Sequence, residues 1–110
     1  MKNKSLMAGS LGPIILKLLR ENGRMYGYQI TQEVLELTEG ELIIKEGSLY
    51  PTLHRLEAQG LLTHEYVEVS NRMRKYYRLT PEGETEAVSS LEEIHRFLHH
   101  LGVILKPKPD

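Results

Sequence analysis

Apolar residues recur at helical spacing in the first part of the chain. One segment begins at Gly12-Pro13, where proline is tolerated because the first turn of a helix needs no N–H donor, and Gly23 can cap its end. A second segment covers residues 26–38, with apolar side chains three and four positions apart. Both segments predict helices. The apolar run at residues 42–44 predicts a short connector that can add a strand.

Residues 48–60 carry the best-marked helix pattern. Ser48 is the expected N-cap, Pro51 then falls at the third helical position, where an N–H would lack a partner, and Gly60 ends the helix. Leucines at positions 49, 53 and 56 form a stripe that should face inward. The side chains on the opposite face, or on its flank near the helix start, are Tyr50, Pro51, His54 and Arg55.

The period then changes from helical to alternating, which predicts a β-hairpin over residues 62–79 with its turn at Ser70-Asn71. Alternation places Met73, Lys75, Tyr77 and Leu79 on one face of the second strand, and Arg72, Arg74, Tyr76 and Arg78 on the other. The hairpin therefore has one cationic face. Tyr77 and Leu79 are expected in the hydrophobic core.

Thr80-Pro81-Glu82 predicts the start of a last helix, with proline at its first position. Six apolar residues follow at steps of four and three, which is a heptad seam: Ala87, Leu91, Ile94, Leu98, Leu101 and Leu105. Part of this seam should pack on the chain's own first helix. Because it continues as far as Leu105, the rest predicts contact with a partner chain. Residues 106–110 form a proline-containing tail that we expect to be disordered.

Charge is separated along the chain, although the net charge is only −1. Residues 1–24 hold five basic residues against the single acid Glu21, and residues 72–78 hold four basic residues and no acid. The acids concentrate in residues 33–46 and 82–93. The electric field of such a cluster of charges acts over about 8–10 Å in salt solution. The two basic patches can therefore bind DNA, or they can be ordinary solvated faces.

Composition excludes several classes of protein. The chain is 40% hydrophobic and 26% charged, as in a globular protein, and it has no cysteine for disulfides or thiolate metal sites. It contains no nucleophile–base pair and no glycine-rich phosphate loop, so we do not expect an enzyme or a cofactor. His95 and His99, with His100, could share a metal, but solvated histidines are the simpler interpretation. No apolar run is long enough for a membrane span or a signal peptide, which favours the cytoplasm.

Three helices followed by a two-stranded hairpin give an α+β fold with the order of a winged helix-turn-helix. We expect that domain over residues 1–80 and a dimerisation helix with a short tail over residues 81–110. Three motifs, in this order, make the chain resemble the PadR family of bacterial regulators, and the resemblance covers about residues 11–87. They are YGYQI at 26–30, EGSLYPTL at 46–53 with RLE at 55–57 and GL at 60–61, and RKYYRLTPEG at 74–83.

The resemblance implies a homodimeric repressor that binds double-stranded DNA at an inverted-repeat operator and releases it when a small-molecule inducer binds. The single C-terminal helix is similar to that of the smaller PadR subfamily. Position by position it implies that Ser48, Tyr50 and Pro51 start the recognition helix, that Tyr28 lies on the second helix, and that Arg74 and Lys75 belong to a basic wing. Together with the outward and cationic positions above, the expected DNA-binding residues are Tyr28, Lys45, Ser48, Tyr50, Pro51, His54, Arg55, Arg72, Arg74 and Lys75.

Two features depart from the family pattern. The wing tip, residues 70–73, lacks the glycine- and arginine-rich sequence of many relatives, so a minor-groove contact is not expected from it. The chain also has no tryptophan to sandwich a flat ligand, so that ligand site is not expected here. An inducer is expected instead at the dimer interface near the first and last helices, with Phe97 as a lining residue. A winged helix that docks on another protein without binding DNA is the alternative function.

Overall fold

The computed structural model describes residues 7–109. Lys2 and Lys4 of the first basic patch, and Asp110 at the end of the predicted tail, lie outside the described residues. In the described part, four helices and three strands follow one another: α1 Leu11–Asn22, β1 Arg24–Met25, α2 Gly27–Leu37, α3 Glu46–Ala58, β2 Leu62–Val69, β3 Arg72–Leu79 and α4 Pro81–Leu105.

The first two helices are confirmed, and their ends have clear causes. Gly23 adopts a positive φ of 84° at the end of α1, and its N–H donates to the Leu19 carbonyl over 2.9 Å. At the start of α2, the Tyr26 N–H donates to Oε1 of Gln29 over 3.1 Å. This bond gives the N–H just before the helix a partner and fixes the backbone where β1 passes into α2.

The predicted cap of α3 is wrong. The helix begins at Glu46, with Lys45 as its N-cap residue, so Ser48 lies in the first turn and its N–H donates to the Lys45 carbonyl over 3.0 Å. Pro51 is therefore inside the helix, and its ring leaves the Gly47 carbonyl without its usual helical donor. An acidic Glu46 in the first turn favours the earlier start because it lies near the positive end of the helix dipole.

The predicted connector at residues 42–44 adds no strand, and it is a loop in which Ile44 is buried while Ile43 is exposed. The third strand of the sheet is β1 instead. Met25 pairs with Tyr77 and Arg24 with Arg78, so the order is β1-β3-β2 and every pair is antiparallel. Two residues are too few to show an alternating pattern, which is why the sequence did not predict β1.

The hairpin is confirmed. β2 and β3 pair from Leu62 opposite Leu79 to Val69 opposite Arg72. Ser70 and Asn71 have φ values of 49° and 64°, and positive φ at both central residues is the geometry that matches the twist of a two-residue hairpin.

The hydrophobic core lies between α1, α2, α3 and the inner face of the sheet. The leucine stripe of α3 is fully buried, as predicted, and Tyr77 of β3 is only 1% exposed. Leu79, also expected in the core, packs against it but stays half-buried. The remaining large buried side chains come mainly from α1 and α2: Ile15, Leu16, Leu18, Leu19, Ile30 and Val34.

The start of α4 is locked onto the turn after α3. The Thr80 hydroxyl accepts from the Gly83 N–H over 3.0 Å, which confirms the predicted cap, and it donates to the Gly60 carbonyl over 2.6 Å. The Thr80 N–H donates to the Leu61 carbonyl over 3.1 Å. A Cβ on Gly83 would come within 2.0 Å of that same Leu61 oxygen, so only glycine fits there.

The chain itself covers only the first part of the predicted heptad seam. Ala87 is buried, and Leu91, Ile94 and Leu101 are half-buried. Leu98 is 56% exposed and Leu105 is 69% exposed. Among residues 7–109, the part of the seam beyond Ile94 is thus largely uncovered.

Candidate nucleic-acid interface

The outward face of α3 is open to solvent, as its apolar pattern requires. Pro51 and His54 are exposed, Ser48 is half-buried and Lys45, just before the helix, is exposed. These four residues lie on the side of α3 opposite the leucine stripe or at its N-terminal end. The predicted surface of the third helix therefore exists, although Ser48 reaches it from the first turn and not from a cap.

Tyr50 contacts the start of α2. Its hydroxyl oxygen would lie 2.6 Å from a Cβ on Gly27, so the ring packs directly on the glycine backbone. A side chain on residue 27 would collide with the tyrosine in its present position, so the close contact depends on glycine. Tyr50 keeps about a third of its surface exposed, and Tyr28, one residue beyond the contact, is 61% exposed. Tyr50 thus holds α3 against α2 and still faces solvent near Tyr28.

Arg55 lies apart from the other candidates on α3. Its Nη2 atom would be 3.5 Å from a Cβ on Gly12, which places the guanidinium beside the start of α1. There it lines one side of a groove between α1 and α4. The helical projection predicted that Arg55 points outward, and its side chain is exposed, but it turns to the α1 flank and away from His54.

The outer face of the sheet carries a stack of arginine and tyrosine side chains. The Arg74 Cζ atom lies 4.1 Å from the ring centroid of Tyr26, and the Arg24 Cζ atom lies 4.7 Å from that of Tyr76. The two rings meet edge to face, with centroids 5.4 Å apart and planes at 81°. Distances below about 6 Å are in the range of cation–π attraction. The two rings therefore lie between the two guanidinium groups, in the order Arg74, Tyr26, Tyr76, Arg24.

One carboxylate interrupts the cationic face. Glu65 of β2 lies opposite Tyr76, and its Oε1 atom accepts from Nη1 of Arg24 over 2.8 Å. This hydrogen bond, together with the charges of Arg78 and Arg24, lowers the pKa of Glu65 below its usual value. Arg24 is therefore neutralised locally, whereas Arg72 and Arg78 are exposed on the same face.

Lys75 lies on the opposite face of β3, as the alternation predicts. Its Nζ atom is 5.1 Å from the ring centroid of Tyr77, and hydrogen bonding to the Tyr77 hydroxyl raises the pKa of the lysine. The basic strand is thus divided, with its arginines on the outer face and its lysine on the core side.

A half-buried pair connects the end of α3 to the hairpin. The Nδ1 atom of His64 lies 2.5 Å from Oε2 of Glu57, and the imidazole meets the rings of Tyr66 and Tyr77 edge to face. Sequence reasoning missed this pair and also missed Arg24, Tyr26, Glu65 and Tyr76. The alternating pattern did place Tyr76 beside the arginines, but the other contacts join positions far apart in the chain and leave no local signal.

A groove with a volume of about 630 Å³ lies between α1 and α4. Phe97, the predicted ligand-pocket residue, lines it together with Pro13, Leu16 and Ile94, while Glu93 and Arg55 supply charge.

Among residues 7–109, no three histidine or acidic side chains are close enough to hold a metal ion, so the metal interpretation of His95, His99 and His100 gains no support. No described helix is long and apolar enough to cross a membrane.

Helices α1 to α3 with the β2–β3 hairpin define a winged helix-turn-helix, here extended by a long C-terminal helix. Residues 15–89 match the family described as "Transcriptional regulator PadR-like family". The chain belongs to this family, which confirms the resemblance found in its motifs. Members of the family are transcriptional regulators and not enzymes.

Individual relatives agree with this assignment. The chain is 44% identical over 78 residues to a transcriptional regulator of Mycobacterium tuberculosis, covering 68% of this chain and 70% of the other. A solved structure of a transcriptional regulator from Clostridium thermocellum is similar with a TM-score of 0.85 and 33% identity, over 94% of this chain and all of that one. A PadR family regulator from Eggerthella lenta is similar with a TM-score of 0.76 and 33% identity, over 94% and 88% of the two chains.

Proposed function

We propose that this chain is a repressor that binds an inverted-repeat DNA operator as a homodimer. One observation carries the proposal: Arg74 of the hairpin contacts Tyr26, and Tyr50 of α3 contacts Gly27, which is the next residue. The exposed face of α3 and the cationic face of the hairpin therefore meet around the start of α2. Such a surface suits a DNA duplex, with α3 in the major groove and the hairpin along the phosphates.

The two elements have different roles in this proposal. Ser48, Tyr50, Pro51 and His54 lie where side chains can reach base edges, and base contacts discriminate by about 1–3 kcal/mol each. Arg55 would reach a base edge as well if its side chain moved out of the groove between α1 and α4. Residues that contact phosphates add affinity without reading sequence, and we assign that role to the remaining candidates. They are Tyr28, Lys45, Arg72 and Arg74, together with Lys75, which would reach a phosphate from the other face of the hairpin.

The test is a pair of titrations, one on the DNA upstream of the chain's own gene and one on a random duplex, at several salt concentrations. Arg72→Ala with Arg74→Ala should weaken binding to both DNAs and flatten the salt dependence, by a log–log slope of about 0.9 for each phosphate that the variant no longer neutralises. Ser48→Ala with His54→Ala should instead reduce the difference between the two DNAs. The opposite pattern would mean that the roles of α3 and the hairpin are reversed.

The titrations also distinguish this proposal from the alternative function. A winged helix that docks on another protein would show no salt-dependent retention on either DNA, whereas a DNA-binding protein loses affinity steeply as salt rises. Complete absence of binding by the unaltered protein would therefore overturn the DNA-binding proposal. A regulator of this kind would act in the cytoplasm, where bacterial DNA lies.

We further propose that residues 81–110 act as the dimerisation segment and that the groove between α1 and α4 receives the inducer. The exposure of Leu98 and Leu105 supports contact with a second copy. The groove combines apolar side chains, including Phe97, with polar and charged ones, and Arg55 joins it to α3. An inducer releases DNA only by binding one arrangement of the dimer more tightly than another. A ligand bound on the outward face of α3 would contradict this part of the proposal.

A further inference from the structure

We propose that Tyr26 is a positioning residue for Arg74, which it holds in place for a DNA phosphate before DNA arrives. The inference rests on the proposed function and deepens it, because it assigns a role to a residue that does not itself need to touch DNA. The face of the Tyr26 ring holds the Arg74 guanidinium at the start of α2. A positive charge of the hairpin is thereby fixed next to the helix-turn-helix.

The ring of Tyr26 is itself held in place. It stands at the residue before α2, where its backbone N–H is bound to Gln29, and its ring meets Tyr76 edge to face. Tyr76 in turn belongs to β3, the strand that carries Arg74. The guanidinium therefore rests on a surface fixed by both α2 and the sheet, with its Cζ atom 4.1 Å from the ring centroid.

The charge of Arg74 remains available for an anion. Arg24 makes the equivalent contact with Tyr76, but its guanidinium is bound to Glu65 over 2.8 Å. In residues 7–109, by contrast, no ion pair within 4.0 Å joins Arg74 to a carboxylate. Its cross-strand neighbour is Val67, which is apolar. Of the two arginines in the stack, only Arg74 is both positioned and, within that described range, without a carboxylate partner.

Positioning matters because a free arginine loses rotamer freedom when it binds a phosphate. A side chain already held in the bound arrangement loses less, which strengthens binding without adding a contact. Exposed cation–π contacts are of a size that corresponds to about a two- to fivefold change in affinity. Removing the ring face should therefore weaken DNA binding by about that factor while the positive charge remains.

The experiment compares Tyr26→Phe, which keeps the ring face, with Tyr26→Leu, which keeps apolar bulk without it. Fluorescence anisotropy on a mixed-sequence DNA duplex, over a series of salt concentrations, gives the affinity and the salt slope of each full-length variant. We expect the phenylalanine variant to bind about two- to fivefold more tightly than the leucine variant. The leucine variant should also keep more of the salt slope than Arg74→Ala, because its arginine is still charged.

Two controls separate positioning from a general structural effect. The same Phe and Leu substitutions in an Arg74→Ala background should bind equally, because the residue to be positioned is gone. The matched pair Tyr66→Phe and Tyr66→Leu changes an exposed hairpin tyrosine on the other face of the sheet, whose ring lies next to His64, and should also show no difference. Thermal unfolding of every variant shows whether it is folded at the assay temperature.

The possible results are distinct. Equal binding by Tyr26→Phe and Tyr26→Leu, with tight binding by the unaltered protein, would overturn the inference and leave the proposed function standing. A difference that persists after Arg74 is removed would also overturn it, because the ring would then act independently of the arginine. Absence of salt-dependent binding by the unaltered protein would overturn both.

Discussion

The two halves of α4 differ in the size of their buried and exposed side chains. In the first half, the residues that face the rest of the chain are small: Gly83, Ala87 and Ser90 are all buried. In the second half, large apolar residues such as Leu98, Ile104 and Leu105 are exposed. Small residues allow the helix to approach the turn after α3 and helix α1 closely, whereas large ones provide apolar area that has no cover within the described chain.

We interpret this difference as separating a contact that folds the chain from the surface that we propose for the dimer. The heptad pattern runs through both halves without a break, so periodicity alone treats them as one seam. Residue size distinguishes them, because close packing within a chain requires glycine and alanine where backbones meet, while a helix–helix seam between copies favours leucine. The following predictions test the distinction, from the largest expected effect to the smallest.

The largest effect is expected in the second half of the seam. Leu98→Glu with Leu105→Glu, both in the exposed half, places four charges in the interface of a dimer, and removing four buried leucines corresponds to on the order of 6 kcal/mol of association free energy. Light scattering should report a monomer. Because Leu98 is exposed in the single chain, Leu98→Glu alone should weaken the dimer and leave the fold intact.

The matched control for the seam is Ser89→Glu with His100→Glu, which adds the same number of carboxylates on the opposite side of α4. Both residues are exposed, and the control protein should remain a dimer. A dimer that survives in the Leu98 and Leu105 double variant would refute the assignment of this half of α4 to a partner chain.

In the first half, Gly83→Ala should destabilise the fold itself. The added Cβ would lie 2.0 Å from the Leu61 oxygen, which is backbone and cannot swing away. Overpacking of this kind costs about 1–3 kcal/mol, and we expect the upper end. Denaturant unfolding at several protein concentrations measures it, and the destabilisation should appear whether or not the dimer is intact. An unchanged unfolding midpoint would show that α4 does not depend on this close approach.

The corresponding change in the second half has the opposite sign. Gly102 lies within α4 with nothing close to a Cβ built on it, so Gly102→Ala removes a poor helix former at no steric cost within the described chain. The free energy of unfolding should rise by about 0.5–1 kcal/mol. A fall in stability that appears only at concentrations where the protein is dimeric would place Gly102 directly against the partner chain.

The smallest effect concerns the ion pair that joins α1 to α4. The Nε atom of Arg20 lies 3.7 Å from Oε2 of Glu84, and both side chains are about half exposed. Exposed pairs of this kind contribute about 0–1 kcal/mol, so Glu84→Gln should change the unfolding free energy by no more than a few tenths of a kcal/mol. A destabilisation comparable with that of Gly83→Ala would mean that charge, and not close packing, holds the first half of α4.

Local patterns predicted most of the fold. The helical stripe of α3, the alternation of β3 and the turn at Ser70-Asn71 each depend on residues near one another in sequence, and the structure confirms all three. The errors came where local signals were short or competed. Ser48 has the chemistry of a cap, but the helix starts earlier at Glu46, and the two residues of β1 are too few to form a pattern.

The sequence predicted which faces of the helix and strand form the candidate site, but it did not predict which side chains of the site contact one another. Position in the helix and strand identified His54 as exposed and Arg74 as lying on the outer face. It could not show that Arg55 turns toward Gly12, or that Arg74 rests on Tyr26, because these pairs are 43 and 48 positions apart in sequence. Their contacts depend on how α1, α2 and the sheet are packed.

The sequence by itself determined the four helices, the hairpin and its cationic face, the apolar seam of α4 and the family, because each follows from periodicity or from a motif of adjacent residues. The tertiary structure alone decided which residues of those surfaces meet. The motifs that end α3 and begin α4 illustrate this. Each motif can be recognised separately in the sequence, but only the fold brings the carbonyls of Gly60 and Leu61 against Thr80 and Gly83. Packing is non-local, since it depends on the volume and hydrogen-bonding groups of residues that share no stretch of sequence.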